Sequence, residues 1–100
     1  MEEIRTLYYE RFIQHVVEIY APKLKQVRPG HCMKITGLAL KELRVLLPLL
    51  RPINENLSVF ILSEEEKGDE YIHATKLIEL RNDPSKAVLI LVPTNSRTSA

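Results

Sequence analysis

Cysteine is almost absent from this sequence of 100 residues, because Cys32 is the only one. One cysteine excludes an internal disulfide, and it cannot by itself form a thiolate metal site. Cysteine also behaves as a small apolar residue when it has no such role. We therefore expect Cys32 to lie in the core.

An excess of charge of either sign is also absent. Fourteen Lys and Arg residues against thirteen Asp and Glu residues give a formal net charge of +1. The chain therefore has no general electrostatic attraction to nucleic acid, to an anionic membrane or to a polyanionic substrate. Any such binding has to come from a local cluster of charges.

Long hydrophobic runs are lacking in the middle of the chain. The longest one there, residues 43–50, is interrupted by Arg44 and Pro48 and is shorter than the ~20 apolar residues that span a bilayer. The first residues, MEEIRTLYYER, carry acids where a signal peptide carries bases. We expect a cytoplasmic protein with no membrane partner.

The apolar residues that are present follow an alternating helix and strand pattern. Apolar positions recur every three or four residues near the start, and a continuous apolar run near the end is typical of a strand covered on both faces. The spacing predicts a helix over 3–20, a strand over 31–36, a helix over 38–50, a strand over 57–62, a helix over 70–82 and a strand over 88–92.

This order predicts a small three-layer α/β domain, in which a helix precedes a βαβαβ unit with a three-stranded parallel sheet. At this length residues 1–100 form one domain. Pro22 is expected to end or restart the first helix, and Pro48 to kink the second one or to start a separate last turn. Asp69 is expected to cap the third helix.

Glycine is too scarce for a phosphate-binding loop. The turn KITGLAL contains Gly37 alone, whereas a dinucleotide site or a P-loop needs several glycines, and a P-loop also needs a following Lys. Gly37 is expected to form a tight turn. We expect no cofactor in these residues.

Acidic residues cluster after the second strand, in SEEEKGDE (residues 63–70). Paired carboxylates there could hold a magnesium ion for nuclease or phosphotransfer chemistry. The other two strand ends offer no acid, so a solvated loop whose three glutamates can be replaced with little loss of stability is the favoured interpretation. The histidines, at positions 15, 31 and 73, have no metal-ligand spacing.

The last residues, PTNSRTSA, are polar. Asn95, Ser96 and Arg97 follow a strand and carry an amide, a hydroxyl and a guanidinium, which suits an anion contact. A strand end is also where α/β proteins place their functional crevice. A frayed terminus is the alternative. The interpretation that we favour is that further sequence follows Ala100 and that residues 1–100 are the N-terminal fragment of a longer protein.

The first predicted helix carries more aromatic residues than one contact with a small sheet would cover. Tyr8, Tyr9, Phe12 and Tyr20 spread around the helix together with six aliphatic residues. Aromatic residues supply much of the energy of protein interfaces. We expect part of this helix to face a protein partner or a second copy of the chain. The alternative is that the whole stripe is core.

The stretch YIHATKLIELRNDPSKAVLILVPTNSRTSA (residues 71–100) resembles a segment near the N-terminus of large prokaryotic ATP-binding proteins of the FtsK/HerA class. It is most similar in kind to the ATPase component of phosphorothioation-dependent DNA restriction systems. The matching features are residues 74–82, the apolar strand, Pro93 and residues 97–100, and KITGLAL also fits the pattern.

This resemblance implies an N-terminal assembly or partner-docking module of a DNA-restriction or antiviral defence ATPase, with DNA bound by the complete complex. The ATPase motifs are missing here, so no catalytic residue carries over. Two alternatives stay open, a metal-dependent nuclease or phosphotransfer domain using the acids of residues 64–70 and a weak nucleic-acid-binding module. The latter would use Lys23, Lys25 and Arg28, whose affinity would fall with salt.

We predict that the purified chain does not bind ATP, because neither strand-to-helix turn carries a glycine-rich phosphate loop. Isothermal titration calorimetry of the 100-residue chain with MgATP should show no heat of binding. Saturable binding at micromolar ATP would contradict this prediction.

Overall fold

Four parallel strands, three α-helices and one short 3-10 turn make up the part of the protein that the structure describes. The computed structural model describes the backbone of residues 2–94 and the side chains of residues 10–94. The elements are α1 (Glu2–Lys25), β1 (Cys32–Leu38), α2 (Leu40–Leu50), a 3-10 turn (Arg51–Ile53), β2 (Leu57–Leu62), β3 (Tyr71–Ile72), α3 (Ala74–Arg81) and β4 (Ala87–Pro93).

The strands pair in the order β1-β4-β2-β3, and every pair is parallel. The predicted α/β class, the three layers and the parallel sheet are confirmed. The predicted number of strands is wrong, because a fourth strand, β3, precedes α3. Tyr71 and Ile72 pair with Ile61 and Leu62 of β2, so these residues belong to the sheet and not to the third helix.

The two faces of the sheet bury different clusters. The first face shares one buried cluster with α1 and α2, which includes Ile35, Val59, Leu89 and Leu91 from the strands. The second face carries Val88 and Ile90, against which Leu77 and Leu80 of α3 pack. Alternate residues of β4 thus contribute to opposite clusters, as the pleat of a strand requires. We call these faces the α1–α2 face and the α3 face.

β4 is the central strand, and its burial follows from its sequence. All five residues from Ala87 to Leu91 are buried, and β4 pairs with β1 on one side and with β2 on the other. A continuous apolar run is expected of a parallel strand covered on both faces. The prediction of such a strand over 88–92 is confirmed.

The prolines interrupt the helices less than predicted. α1 continues through Pro22 to Lys25, and α2 continues through Pro48 to Leu50. Each proline lies in the last turns of its helix, where the only backbone bond lost is the one that its missing N–H would donate to the carbonyl four residues earlier. Pro52 then lies in the 3-10 turn that follows α2.

Gly37 does not form the predicted turn between a strand and a helix, because it lies inside β1. Its φ angle is +93°, in a region that residues with a Cβ rarely adopt. The register with β4 shifts between Ile35 and Leu38, so Gly37 lies at a β-bulge. The bulge lets Leu38 return to the core beyond two exposed residues.

We predict that Gly37→Ala lowers the free energy of unfolding by about 1 to 2 kcal/mol, the cost of a left-handed backbone for a residue with a Cβ. A Cβ at this position would have no atom within 4 Å, so steric clash adds nothing. Urea denaturation measures the loss, with Thr36→Ser as the neighbouring control. An equal loss in both variants would contradict this explanation.

Candidate functional site

The carboxyl ends of the parallel strands lie at one edge of the sheet, where α/β proteins place functional residues. The loop of residues 63–70 leaves β2 at this edge and returns directly to β3 without a helix. At the end of β4, the backbone N–H of Thr94 donates to the Leu38 carbonyl over 2.8 Å. The loop of residues 63–70 and the ends of β1 and β4 therefore lie at this edge.

Glu64 binds the start of α3. One carboxylate oxygen accepts a hydrogen bond from the Ala74 backbone N–H over 2.9 Å, and the other lies 3.1 Å from Nδ1 of His73. The Ala74 N–H, followed by the His73 side chain, lowers the pKa of Glu64 below its ordinary value of 4.5. A carboxylate beside the positive end of a helix is stabilised in its ionised form. Glu64 therefore acts as a distant cap for α3.

The prediction that Asp69 caps this helix is wrong. α3 begins at Ala74, after the N-cap residue His73, and Asp69 lies on the other side of β3. The capping carboxylate comes from ten residues before Ala74. A sequence search for a cap looks within the first turn of a helix, so it cannot find a partner that a loop brings back.

Arg44 of α2 holds the other end of the loop. Its Nε donates to the Tyr71 hydroxyl over 2.7 Å, and its Nη2 lies 3.5 Å from a carboxylate oxygen of Glu66. The hydrogen bond to Tyr71 is the main cause of a raised pKa for Arg44. These contacts connect α2, β3 and the acidic loop, so the loop is bound to the domain at two points.

The acids of residues 64–70 therefore have structural partners in at least two places. Glu64 and Glu66 bind different elements, and Ser63 accepts hydrogen bonds from the backbone N–H groups of Glu65 and Glu66. Among residues 10–94, no group of three or more His, Cys, Asp or Glu side chains is arranged to hold a metal ion. The geometry gives the nuclease hypothesis no support.

The predicted interface residues of α1 are in different environments. Phe12 is 41% exposed, whereas Tyr20 is half-buried against the core, with Nζ of Lys23 at 5.7 Å from the centre of its ring. Tyr8 and Tyr9 lie in α1, but their side chains are outside the described residues. Of the two aromatic residues whose side chains are described, one is therefore exposed and the other packs against the core. Their interface role stays a prediction.

An apolar groove lies between α1 and α2, and the sequence did not predict it. It has a volume of about 380 Å³ and is lined mainly by Ile13, Val17, Val45 and Leu49, with Glu10 and Gln14 on its side. Val45 and Leu49 are 41% and 46% exposed. The leucines at helical spacing in α2 indicate its core stripe, and Val45 and Leu49 lie outside that stripe. We call this surface the α1–α2 groove.

The other predicted site residues form no common site. Asn95, Ser96 and Arg97, the predicted anion contacts, lie outside the described residues. Lys23, Lys25 and Arg28 are exposed at the end of α1, where basic residues also stabilise the negative end of the helix. Cys32 is exposed and not buried as predicted, because the outer face of the edge strand β1 has no helix over it.

The comparisons with known proteins add no relative. No protein-family model matches the chain, and neither the curated proteins nor the solved structures contain a match. Among the described residues, no helix is both long and apolar enough to cross a bilayer.

We predict that Glu64→Gln lowers the thermal midpoint at neutral pH, because the ionised carboxylate stabilises the start of α3. The pKa of Glu64 is lowered in the folded protein, so its contribution is present above the ordinary pKa and is lost as the pH falls through the folded-state pKa. The difference from the unchanged protein should therefore vanish in acid. Calorimetry at several pH values measures it.

Asp69→Asn is the matched control. Asp69 is an exposed acid of the same loop, and its side chain makes no hydrogen bond to α3. It should leave the midpoint nearly unchanged at every pH. Equal effects of the two substitutions would show that general loop charge, and not the contact with Ala74, matters.

Proposed function

We propose that this domain is a non-catalytic docking module that binds a protein partner through the α1–α2 groove. The observation that carries the proposal is the exposure of Val45 and Leu49 beside an apolar cavity on the outer surface of two packed helices. Contiguous exposed apolar surface on a protein often marks a site of protein–protein interaction or a ligand-binding groove. The volume is in the range of sites that accept one or two large side chains.

A helix of the partner is the occupant that fits this groove. Each wall of the groove carries two apolar side chains that are four residues, or about one helical turn, apart. They are Ile13 and Val17 on α1, and Val45 and Leu49 on α2. A third helix that places apolar residues at positions i and i+4 between these walls would continue the packing of α1 against α2.

The wider setting of the proposal is a cytoplasmic, prokaryotic DNA-restriction or antiviral defence ATPase. Its support is the resemblance of residues 71–100 to such proteins. The sequence of the strand-to-helix turns, which lacks a phosphate-binding loop, supports a role in assembly and not in nucleotide chemistry. DNA would then be bound by the complete complex.

Site-specific photocrosslinking in the cells that produce the full protein tests this function. A benzophenone side chain at position 49, in the groove, should crosslink to a protein that carries a Walker-type nucleotide loop or to a DNA-cleaving subunit, or to the same polypeptide beyond the domain. The same group at Lys41, an exposed position of α2, is the control. No crosslink at position 49, or the same products from both positions, would contradict the proposal.

A further inference from the structure

The two faces of the sheet are covered to different extents. Two helices, α1 and α2, share the buried cluster of the first face, whereas among the described residues only α3 packs on the second face. Neighbouring strands lie about 4.8 Å apart and a helix is about 10 Å wide, so one helix covers about two strands. α3 packs with residues of β2, β3 and β4 and with none of β1, so the part of the α3 face over β1 lacks a helical layer.

This open part of the α3 face lies over β1, the edge strand next to β4. Ile35 of β1 is buried on the α1–α2 face, while Cys32, Lys34 and Thr36 point to the other face and are exposed. Lys34 is paired with Ile90 of β4 in the parallel register, so both side chains are on the α3 face. The exposure of alternate β1 residues thus marks a strand that is covered on one side only.

A groove of about 240 Å³ lies between this open part and α3. Its floor is formed by Ile90 and Val92 of β4 and by Cys32 and Lys34 of β1, and Leu77 and Arg81 of α3 form its wall. Most of this lining is apolar, and the two cations lie on opposite sides, one on β1 and one on α3. We call this surface the β1–α3 groove.

The flank of α3 that borders the groove is also apolar. Leu77 and Arg81 line the groove, while Leu80 lines the opposite side of the helix. At about 100° per residue, Ile78 follows Leu77 around the helix on the side of Arg81. Ile78 is 58% exposed, so a large aliphatic side chain stands beside the groove, where a neighbouring helix would cover it.

The charges of the groove select the class of occupant. Neither Lys34 nor Arg81 forms an ion pair with another described residue, and both are exposed. Two free cations on either side of an apolar floor complement an apolar stripe bordered by carboxylates. Duplex DNA would match the charges but would leave the side chains of Val92 and Ile78 without contacts.

We propose that the β1–α3 groove binds an acidic amphipathic helix, which lies beside α3 as the second helix of this layer. Its apolar residues would cover Val92, Leu77 and Ile78, and its carboxylates would pair with Lys34 and Arg81. This surface lies on the opposite side of the sheet from the α1–α2 groove, so the inference does not depend on the proposed function. The domain would then hold a partner helix on each side.

The single cysteine provides a local probe, because Cys32 lies in the groove and its reaction with a thiol reagent reports coverage there. The test uses two synthetic helical peptides with the same leucine stripe, one flanked by glutamates and the other by lysines. The glutamate peptide should slow modification of Cys32 in the full chain at least about tenfold, and the lysine peptide should not.

Charge reversal distinguishes the groove from any other binding surface. In the double variant Lys34→Glu and Arg81→Glu, protection should be lost with the glutamate peptide and gained with the lysine peptide. Both positions are exposed, and circular dichroism verifies the fold. Leu49→Glu, in the α1–α2 groove, should leave protection unchanged, which separates this test from the one for the proposed function.

Three results with the peptides would overturn the inference. They are equal protection by both peptides, no protection by either, and protection by the glutamate peptide that survives the charge reversal. Stronger protection of Cys32 by duplex DNA than by the glutamate peptide would also overturn it, in favour of a phosphate contact.

Discussion

The burial of β4 on all sides is the constraint on which the rest of the structure depends. Its side chains contribute to both buried clusters, and its backbone pairs with β1 and with β2. Full burial of an aliphatic side chain contributes about 1.5 to 3 kcal/mol, so the run from Ala87 to Leu91 provides much of the hydrophobic stabilisation. The positions of α2 and α3 follow from it, since each helix packs on a face to which β4 contributes.

The two faces of the sheet expose different surfaces because different numbers of helices cover them. Four strands need two helices on each side, and the described chain places two on one side and one on the other. On the first side, the exposed apolar residues lie on the outside of a completed helical layer. On the second side, they lie within an incomplete one. Both sides of the domain therefore expose apolar residues that another protein segment could cover. On one side such a segment would add to a complete helical layer, and on the other it would complete the layer.

The sequence predicted the elements whose own residues show a helical period or an apolar run typical of a strand. The strand over 57–62 was predicted with the bounds of β2, and the apolar run of β4 indicated a strand covered on both faces. β3 could not be predicted, since two residues carry no period and Tyr71 owes its place to β2 and to Arg44. The Glu64 contact with Ala74 depends on a loop that closes in space. The exposure of Cys32 depends on a helix that does not cover β1, which residue type alone cannot reveal.

The strand order has a consequence for how the chain folds as it is synthesised. β1 and β2 do not pair with each other, because β4 lies between them, and β4 is made after both. Until residues 87–93 have left the ribosome, β1 and β2 therefore lack the strand that joins them, and their backbone edges are open to other chains. Early hairpin-like pairing cannot protect them, because all their neighbours are parallel. A chaperone that shields extended apolar segments would act during this interval, and premature termination before β4 would leave no sheet at all beyond the short β2–β3 pair.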